Sequence, residues 1–148
     1  MFCGNFSRSM DKKKVTVLAG YREKLEKRVV IGGFYPEGCL FLCSPEEWEK
    51  AKERLGKLSL GADTRRDIRM MLSSAVEIEM DEDGGIKIPD NLMKYADLQG
   101  EAVLAGCGEY IEIWDKDRWG VECKKMEAEV ETVYESFKGN GLKPGKEV

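Results

Sequence analysis

One spacing constrains this chain more than any other feature. Val15 and Ile86 stand 71 residues apart, and so do Leu40 and Ile111, Ser44 and Asp115, and Trp48 and Trp119. Strand, helix cap and tryptophan falling on a single offset mark an internal repeat of strand–turn–strand–helix units. Neither copy is large enough to bury its own apolar faces. The two are therefore expected to pair about a pseudo-twofold axis.

The first copy reads as follows. Residues 1–9, with Phe2 and Phe6, make a short first strand. Val15–Leu18 has strand propensity and Gly20 breaks it, after which Tyr21–Arg28 forms a short helix or helical turn around Leu25. Val29–Ile31 is a strand ended by Gly32-Gly33, Tyr35–Gly38 is a turn, and Cys39–Cys43 is the next strand. Ser44-Pro45-Glu46-Glu47 opens a helix, with Ser44 as cap, Pro45 at the first helical position and Glu47 completing a capping box. Trp48, Ala51, Leu55 and Leu58 give that helix its apolar stripe. Gly61 interrupts the pattern, and Asp63 is placed to cap a second helix carrying Ile68, Met71, Leu72 and Ala75.

The second copy retraces this path. Val76–Met80 alternates as a half-buried strand, Asp81–Gly85 turns, and Ile86–Ile88 is a strand stopped by Pro89. Ala102–Leu104 and Tyr110–Trp114 are two further strands. Asp115 then caps a helix whose apolar positions, Trp119, Cys123, Met126, Val130, Val133 and Phe137, step by four and three. That rhythm suits a seam docked on another helix. The expected organisation is a first repeat over 1–75, a second over 76–138, and a flexible tail over 139–148.

Composition narrows the function classes. With 42% apolar and 35% charged residues the chain is globular rather than disordered, and its apolar runs are too short to span a membrane. Met1-Phe2-Cys3-Gly4 has neither the basic start nor the apolar core of a signal peptide, which points to the cytoplasm. Five cysteines without paired spacing suit reduced thiols. Histidine is absent, and no phosphate-cradling glycine loop or nucleophile elbow is present, so an enzyme is not expected. Cys39 and Cys43 share a face of one strand but have no partner ligands, and read as small buried hydrophobes rather than a metal site. Trp48 and Trp119 read as core rather than ligand-stacking residues. No cofactor and no metal are expected.

Charge is distributed unevenly. Residues 1–30 hold eight basic side chains against three acidic ones, a balance of +5 within a chain of net −4, which leaves −9 for the remainder. Lys12-Lys13-Lys14 lies at the centre of this basic segment; taken alone, such a run is a solvated turn. The equivalent stretch of the second copy, Val76–Gln99, carries seven acids and two lysines. Within it Glu79, Asp81, Asp83, Gly84 and Asp90 fall at positions 1, 3, 5, 6 and 12 of an EF-hand-like loop. The wrong acid at each end, an internal Pro89 and flanking strands favour an exposed acidic turn instead.

The repeat and its motifs resemble the MraZ family, which is built from two tandem swapped-hairpin units of the AbrB kind. The resemblance runs from Met1 to about Phe137. It rests on Met1-Phe2 with Gly4, the Asp11 turn followed by Tyr21-Arg22, and Leu40–Leu42 leading into Pro45-Glu46-Glu47-Trp48. Met80-Asp81 with Gly84 and Pro89, and Ile111–Asp115 leading to Trp119, complete it. It implies an α+β fold with a barrel-like core and a ring-like homo-oligomer. It also implies a cytoplasmic, nucleoid-associated transcriptional regulator, a repressor type, acting on promoter direct repeats of a division and cell-wall gene cluster. The family's DNA-contact signature is an Asp-x-Lys-Gly-Arg turn in each half. In the first half Asp11 and Lys13 match, the glycine reads as deleted, and Lys14 stands at the arginine. In the second, Asp81 and Gly84 match, while Asp83 replaces the lysine and Gly85 the arginine. The resemblance thus assigns DNA contact to Lys12, Lys13, Lys14 and Arg22, because a basic turn between strands can grip phosphates or enter the major groove. The alternative is a ring-forming scaffold that has lost sequence-specific DNA binding and meets a protein through its acidic second turn.

Overall fold

The computed structural model describes residues 1–58 and 61–139, with side chains as far as residue 130. The expected tail over 139–148 lies outside the described residues except for Gly139. The chain divides into a body, Met1–Lys116, and a segment from Asp117 onward. No helix among the described residues is long and apolar enough to cross a membrane.

Among its described residues the body contains eight strands and four helices: β1 (Asn5–Ser9), β2 (Lys14–Thr16), α1 (Ala19–Arg22), β3 (Arg28–Phe34), β4 (Cys39–Cys43), α2 (Pro45–Gly56), α3 (Ala62–Ser74), β5 (Val76–Glu79), β6 (Gly85–Lys87), α4 (Asp90–Ala96), β7 (Glu101–Gly106) and β8 (Ile111–Asp115). Six strands form one antiparallel sheet in the order β1-β7-β8-β4-β3-β5, and β2 pairs with β6 as a separate ribbon. The order reads the same from both ends once each strand is exchanged for its counterpart. It also shows the swap. β1 of the first copy hydrogen-bonds to β7 of the second, and β5 of the second to β3 of the first.

The registers locate the pseudo-twofold axis. In the β4–β8 ladder Phe41 faces Glu112, its own counterpart 71 residues on, with Leu40↔Ile113 and Leu42↔Ile111 related to each other about it. In the ribbon Val15 faces Ile86 in the same way. The α+β architecture is therefore the one expected. The sheet nevertheless ends at β1 and β5, and no strand pairing joins those edges among the described residues, so the barrel-like core is not closed by hydrogen bonds.

One face of the sheet and the inner face of the ribbon enclose the main core, in which Val15, Val17, Ile31, Leu40, Leu42, Ile86, Ile88, Leu92, Leu104, Ile111 and Ile113 are fully buried. A smaller cluster of Val30, Phe41 and Cys43 lies on the other face, against Phe34, Trp48, Met71 and Ala75. There the Phe41 and Trp48 rings stack with centroids 5.1 Å apart. Cys39 and Cys43 are both buried, as expected of small apolar side chains.

Several elements differ from expectation for identifiable reasons. β3 does not end at Gly32-Gly33 but runs through both. A Cβ at Gly32 would lie 2.6 Å from the Phe41 ring, so the glycine makes room for a neighbour instead of breaking the strand. Gly20 does not terminate a strand; it lies inside α1, which is four residues long and ends before the expected 21–28 helix is complete. Ser44 caps α2 as expected, its Oγ accepting from the Glu47 N–H at 3.2 Å. The cap of α3 is Gly61 rather than Asp63, which sits in the first turn where a carboxylate suits the helix dipole.

α4 was not expected. Pro89 does more than stop β6: it leads into a helix that buries Leu92 and Ala96, four apart, and closes on Asp97 in the left-handed region at φ 51°. The repeat contains the clue, since α1 and α4 begin 71 residues apart, as do α2 and the helix of the second unit, α5 (Lys116–Gly139). Asp115 directly precedes α5, and its Oδ1 accepts from the Gln99 N–H at 3.2 Å. Of the expected α5 seam, Met126 and Val130 are exposed, while Val133 and Phe137 lie outside the described side chains.

Candidate nucleic-acid interface

The β2–β6 ribbon carries a turn at the start of each strand, and these two turns are the counterparts singled out by the repeat. Asp11 and Lys14 close the first with reciprocal backbone hydrogen bonds, each 2.9 Å. Lys12, inside it, adopts φ 58°, a left-handed conformation that non-glycine residues seldom take. The second turn is one residue longer. Asp81 N donates to Gly85 O and Gly84 N to Asp81 O, both 3.0 Å. The Asp81 Oδ1 also accepts from the Asp83 and Gly85 N–H groups at 2.9 and 2.7 Å. Gly84 supplies the positive φ, 83°, that this turn requires.

Each turn is tied to the far strand by one bond, and the two bonds are symmetry mates. Val17 N donates to Gly84 O at 2.9 Å, and Ile88 N to Lys13 O at 2.8 Å. At an offset of 71, Lys13 thus occupies the position of Gly84 and Lys14 that of Gly85. This corrects the alignment expected from sequence. The residue missing from the first turn lies between Asp11 and Lys12, where the second turn has Glu82, not at the glycine, and Lys12 corresponds to Asp83.

The first turn and the ribbon border a cleft of about 790 Å³ lined by Lys12, Lys13, Lys14, Lys27 and Lys87, with Asp11, Glu79, Asp81 and Glu82 among them. Lys13 and Lys14 do not extend freely. Lys13 Nζ lies 2.5 Å from Asp90 Oδ1, and Lys14 Nζ is paired with Asp81 Oδ2. The hydrogen bond and charge of Asp81 raise the Lys14 ammonium above its ordinary 10.5. Lys14 in turn, joined by the Gly85 N–H, holds Asp81 below 3.8, and Lys13 does the same to Asp90. Lys27 pairs with Glu79 at 3.1 Å.

Of the four residues assigned to DNA contact, the structure brings three together. Lys12, Lys13 and Lys14 share the first turn and its cleft. Arg22 sits at the second turn, where its Nη1 donates to Glu82 O at 3.4 Å. Its chain fills the space that a side chain at Gly84 would need. Lys27 and Lys87 are cleft residues that sequence reasoning passed over. Lys87 was legible, as the outward residue between buried Ile86 and Ile88.

Comparison with known proteins bears on this arrangement. A transcriptional regulator MraZ from Carboxydothermus hydrogenoformans is 35% identical over 140 residues, covering 93% of this chain and 96% of that protein. The chain belongs to the MraZ family. A second transcriptional regulator MraZ, from Alkaliphilus metalliredigens, is 38% identical over 122 residues, 81% of this chain and 85% of its own length. The family model described as "MraZ protein, putative antitoxin-like" matches residues 71–136. Both MraZ relatives are named for regulation rather than for catalysis. The family-model match includes the second turn but not the first, and the two turns differ here in length and charge.

Proposed function

We propose that this MraZ-family chain is a DNA-binding transcriptional regulator that contacts phosphate through Lys12, Lys13 and Lys14. The observation that supports this best is the turn itself, which sets three successive lysines on a tight loop at the end of a rigid two-stranded ribbon. Two MraZ relatives carrying the name of transcriptional regulators support the same reading. Arg22 serves the second turn, bracing it from behind. Lysine neutralises phosphate but lacks the planar fork with which arginine reads guanine, so this surface grips backbone more than it reads bases. Sequence preference then arises from several subunits of a ring-like homo-oligomer meeting promoter direct repeats together, with avidity supplying the affinity that one turn lacks.

The test is a gel-shift series of the intact protein against a duplex carrying its own upstream region. Binding at low salt that is lost when all three lysines become alanine supports the reading. Absence of binding at low salt, or binding indifferent to the triple substitution, removes it. Each phosphate contact adds about 0.9 to the slope of log affinity against log salt, so a single turn gives a shallow slope per subunit. A second reading, a ring scaffold meeting a protein partner, draws on one observation: the second turn is acidic and two of the three lysines are already paired within the chain. Recovery of a protein partner but no DNA by the tagged oligomer would favour it.

A further inference from the structure

The two turns have diverged in charge, and the second has become the counter-ion of the first. Lys14 and Gly85 occupy matching positions on either side of the pseudo-twofold axis, so one copy has a long cation where the other has no side chain. The space left at Gly85 is used. A Cβ built there would collide with the end of the Lys14 chain and with the Asp81 carboxylate, because Lys14 crosses the glycine to reach Asp81. Asp81 divides its two oxygens between separate tasks. Oδ1 holds the turn together through the Asp83 and Gly85 N–H groups, and Oδ2 meets Lys14. On the other side of the first turn Asp90 meets Lys13. Lys12 makes no ion pair among the described residues.

We propose that Asp81 and Asp90 are built-in mimics of phosphate that hold Lys14 and Lys13 until DNA displaces them, and so set the affinity of this turn. This rests on the DNA-binding reading above and concerns the regulation of the same surface. Lys12 is the lysine available at first encounter; Lys14 and Lys13 are released by exchange of one anion for another. Both pairs stand in water, with Lys14 45% and Asp81 38% exposed, so each is weak and exchange is facile. The device lowers affinity rather than abolishing it. It also discriminates, because a single phosphate displaces one carboxylate, whereas only a duplex presenting phosphates at the right separation displaces both.

The experiment compares the natural oligomer with Asp81→Asn, Asp90→Asn and Asp83→Asn, using the upstream duplex at fixed low salt. Asparagine at position 81 retains the oxygen that orders the turn and loses only the charge. Asp83→Asn removes the same charge from the same turn without releasing a lysine. Asp81→Asn is expected to tighten binding about two- to fivefold per turn, and Asp83→Asn by clearly less. The gain from Asp81→Asn should vanish in a Lys14→Ala background, and that from Asp90→Asn in a Lys13→Ala background. Equal gains at 81 and 83, or gains that survive removal of the lysine, overturn the inference in favour of a general field effect. The Asp90 arm decides the matter if Asp81→Asn disturbs folding. Binding by the natural protein with no gain in either variant removes this inference alone. Failure of every form to bind at low salt removes the DNA-binding reading together with it.

Discussion

Val15 and Ile86 face each other across the β2–β6 ribbon, each the counterpart of the other at the 71-residue offset. Both are fully buried at the centre of the main core, on the pseudo-twofold axis. A cavity opened there weakens the attachment of both turns at once, because each turn hangs from one of these strands. Ile86→Ala is expected to destabilise the protein by about 2–5 kcal/mol, the range for a buried isoleucine cut to alanine. Denaturant unfolding followed by tryptophan fluorescence measures this. The double substitution with Val15→Ala should depart from the sum of the single effects, since the side chains share one cavity.

Much of this architecture was legible because symmetry duplicates the signals. The offset of 71 marks the repeat, and the pairing of Val15 with Ile86 and of Phe41 with Glu112 is its three-dimensional expression. Ser44, Pro45 and Glu47 were sufficient to place α2, since a helix start depends on local hydrogen bonds. What escaped depends on contacts distant in sequence. Nothing near Gly32 announces that the Phe41 ring will lie where its side chain would be. Likewise no property of Lys14 indicates that its partner is Asp81, 67 positions away. The three lysines of the candidate site were visible as a charge run, whereas the pairing of Lys13 with Asp90 and of Lys14 with Asp81 was not.

Two glycines separate close approach from mere absence of a side chain. Gly32→Ala places a methyl group 2.6 Å from two atoms of the Phe41 ring and 3.2 Å from the Ala75 Cα. Phe41 is held in the second cluster by its stack with Trp48, so it has little freedom to move aside. A destabilisation of about 1–3 kcal/mol is expected from this overpacking. Gly20→Ala, in α1 with no atom within 4 Å of the new methyl, should instead be neutral or add about 0.5–1 kcal/mol through helix propensity. In thermal unfolding the midpoint of Gly32→Ala should therefore fall, while that of Gly20→Ala holds or rises.

The Lys14–Asp81 pair predicts a defined pH window. Asp81 is held below its ordinary 3.8, chiefly by the Lys14 hydrogen bond, so its contribution to the fold is present above the unfolded value and disappears as pH falls through the folded one. Lys14 is raised above 10.5 by the same partner, so its contribution is complete below that value and disappears as pH rises beyond it. The pair is intact across the neutral range and opens in acid. Carboxyl-carbon NMR should show Asp81 titrating below an ordinary aspartate, with its midpoint returning upward in Lys14→Ala. An unchanged midpoint in that variant would remove the pair from the account of the site.

Lys12 allows charge and backbone to be separated at the same position. Its φ of 58° lies in the left-handed region, where a side chain is disfavoured by about 1–2 kcal/mol and glycine is not. Lys12→Gly therefore relieves the turn's backbone while removing the lysine that carries no ion pair among the described residues. The greater freedom of glycine in the unfolded chain offsets part of that relief, so the unfolding midpoint is expected to hold steady or rise slightly. DNA affinity should fall in the same variant, and the salt slope should shrink by about 0.9 for each phosphate no longer neutralised. A phosphate-gripping surface and a merely solvated turn predict different results here. If Lys12→Gly keeps full affinity with an unchanged salt slope, Lys12 does not touch phosphate, and the first encounter with DNA must be assigned to other residues of the ribbon.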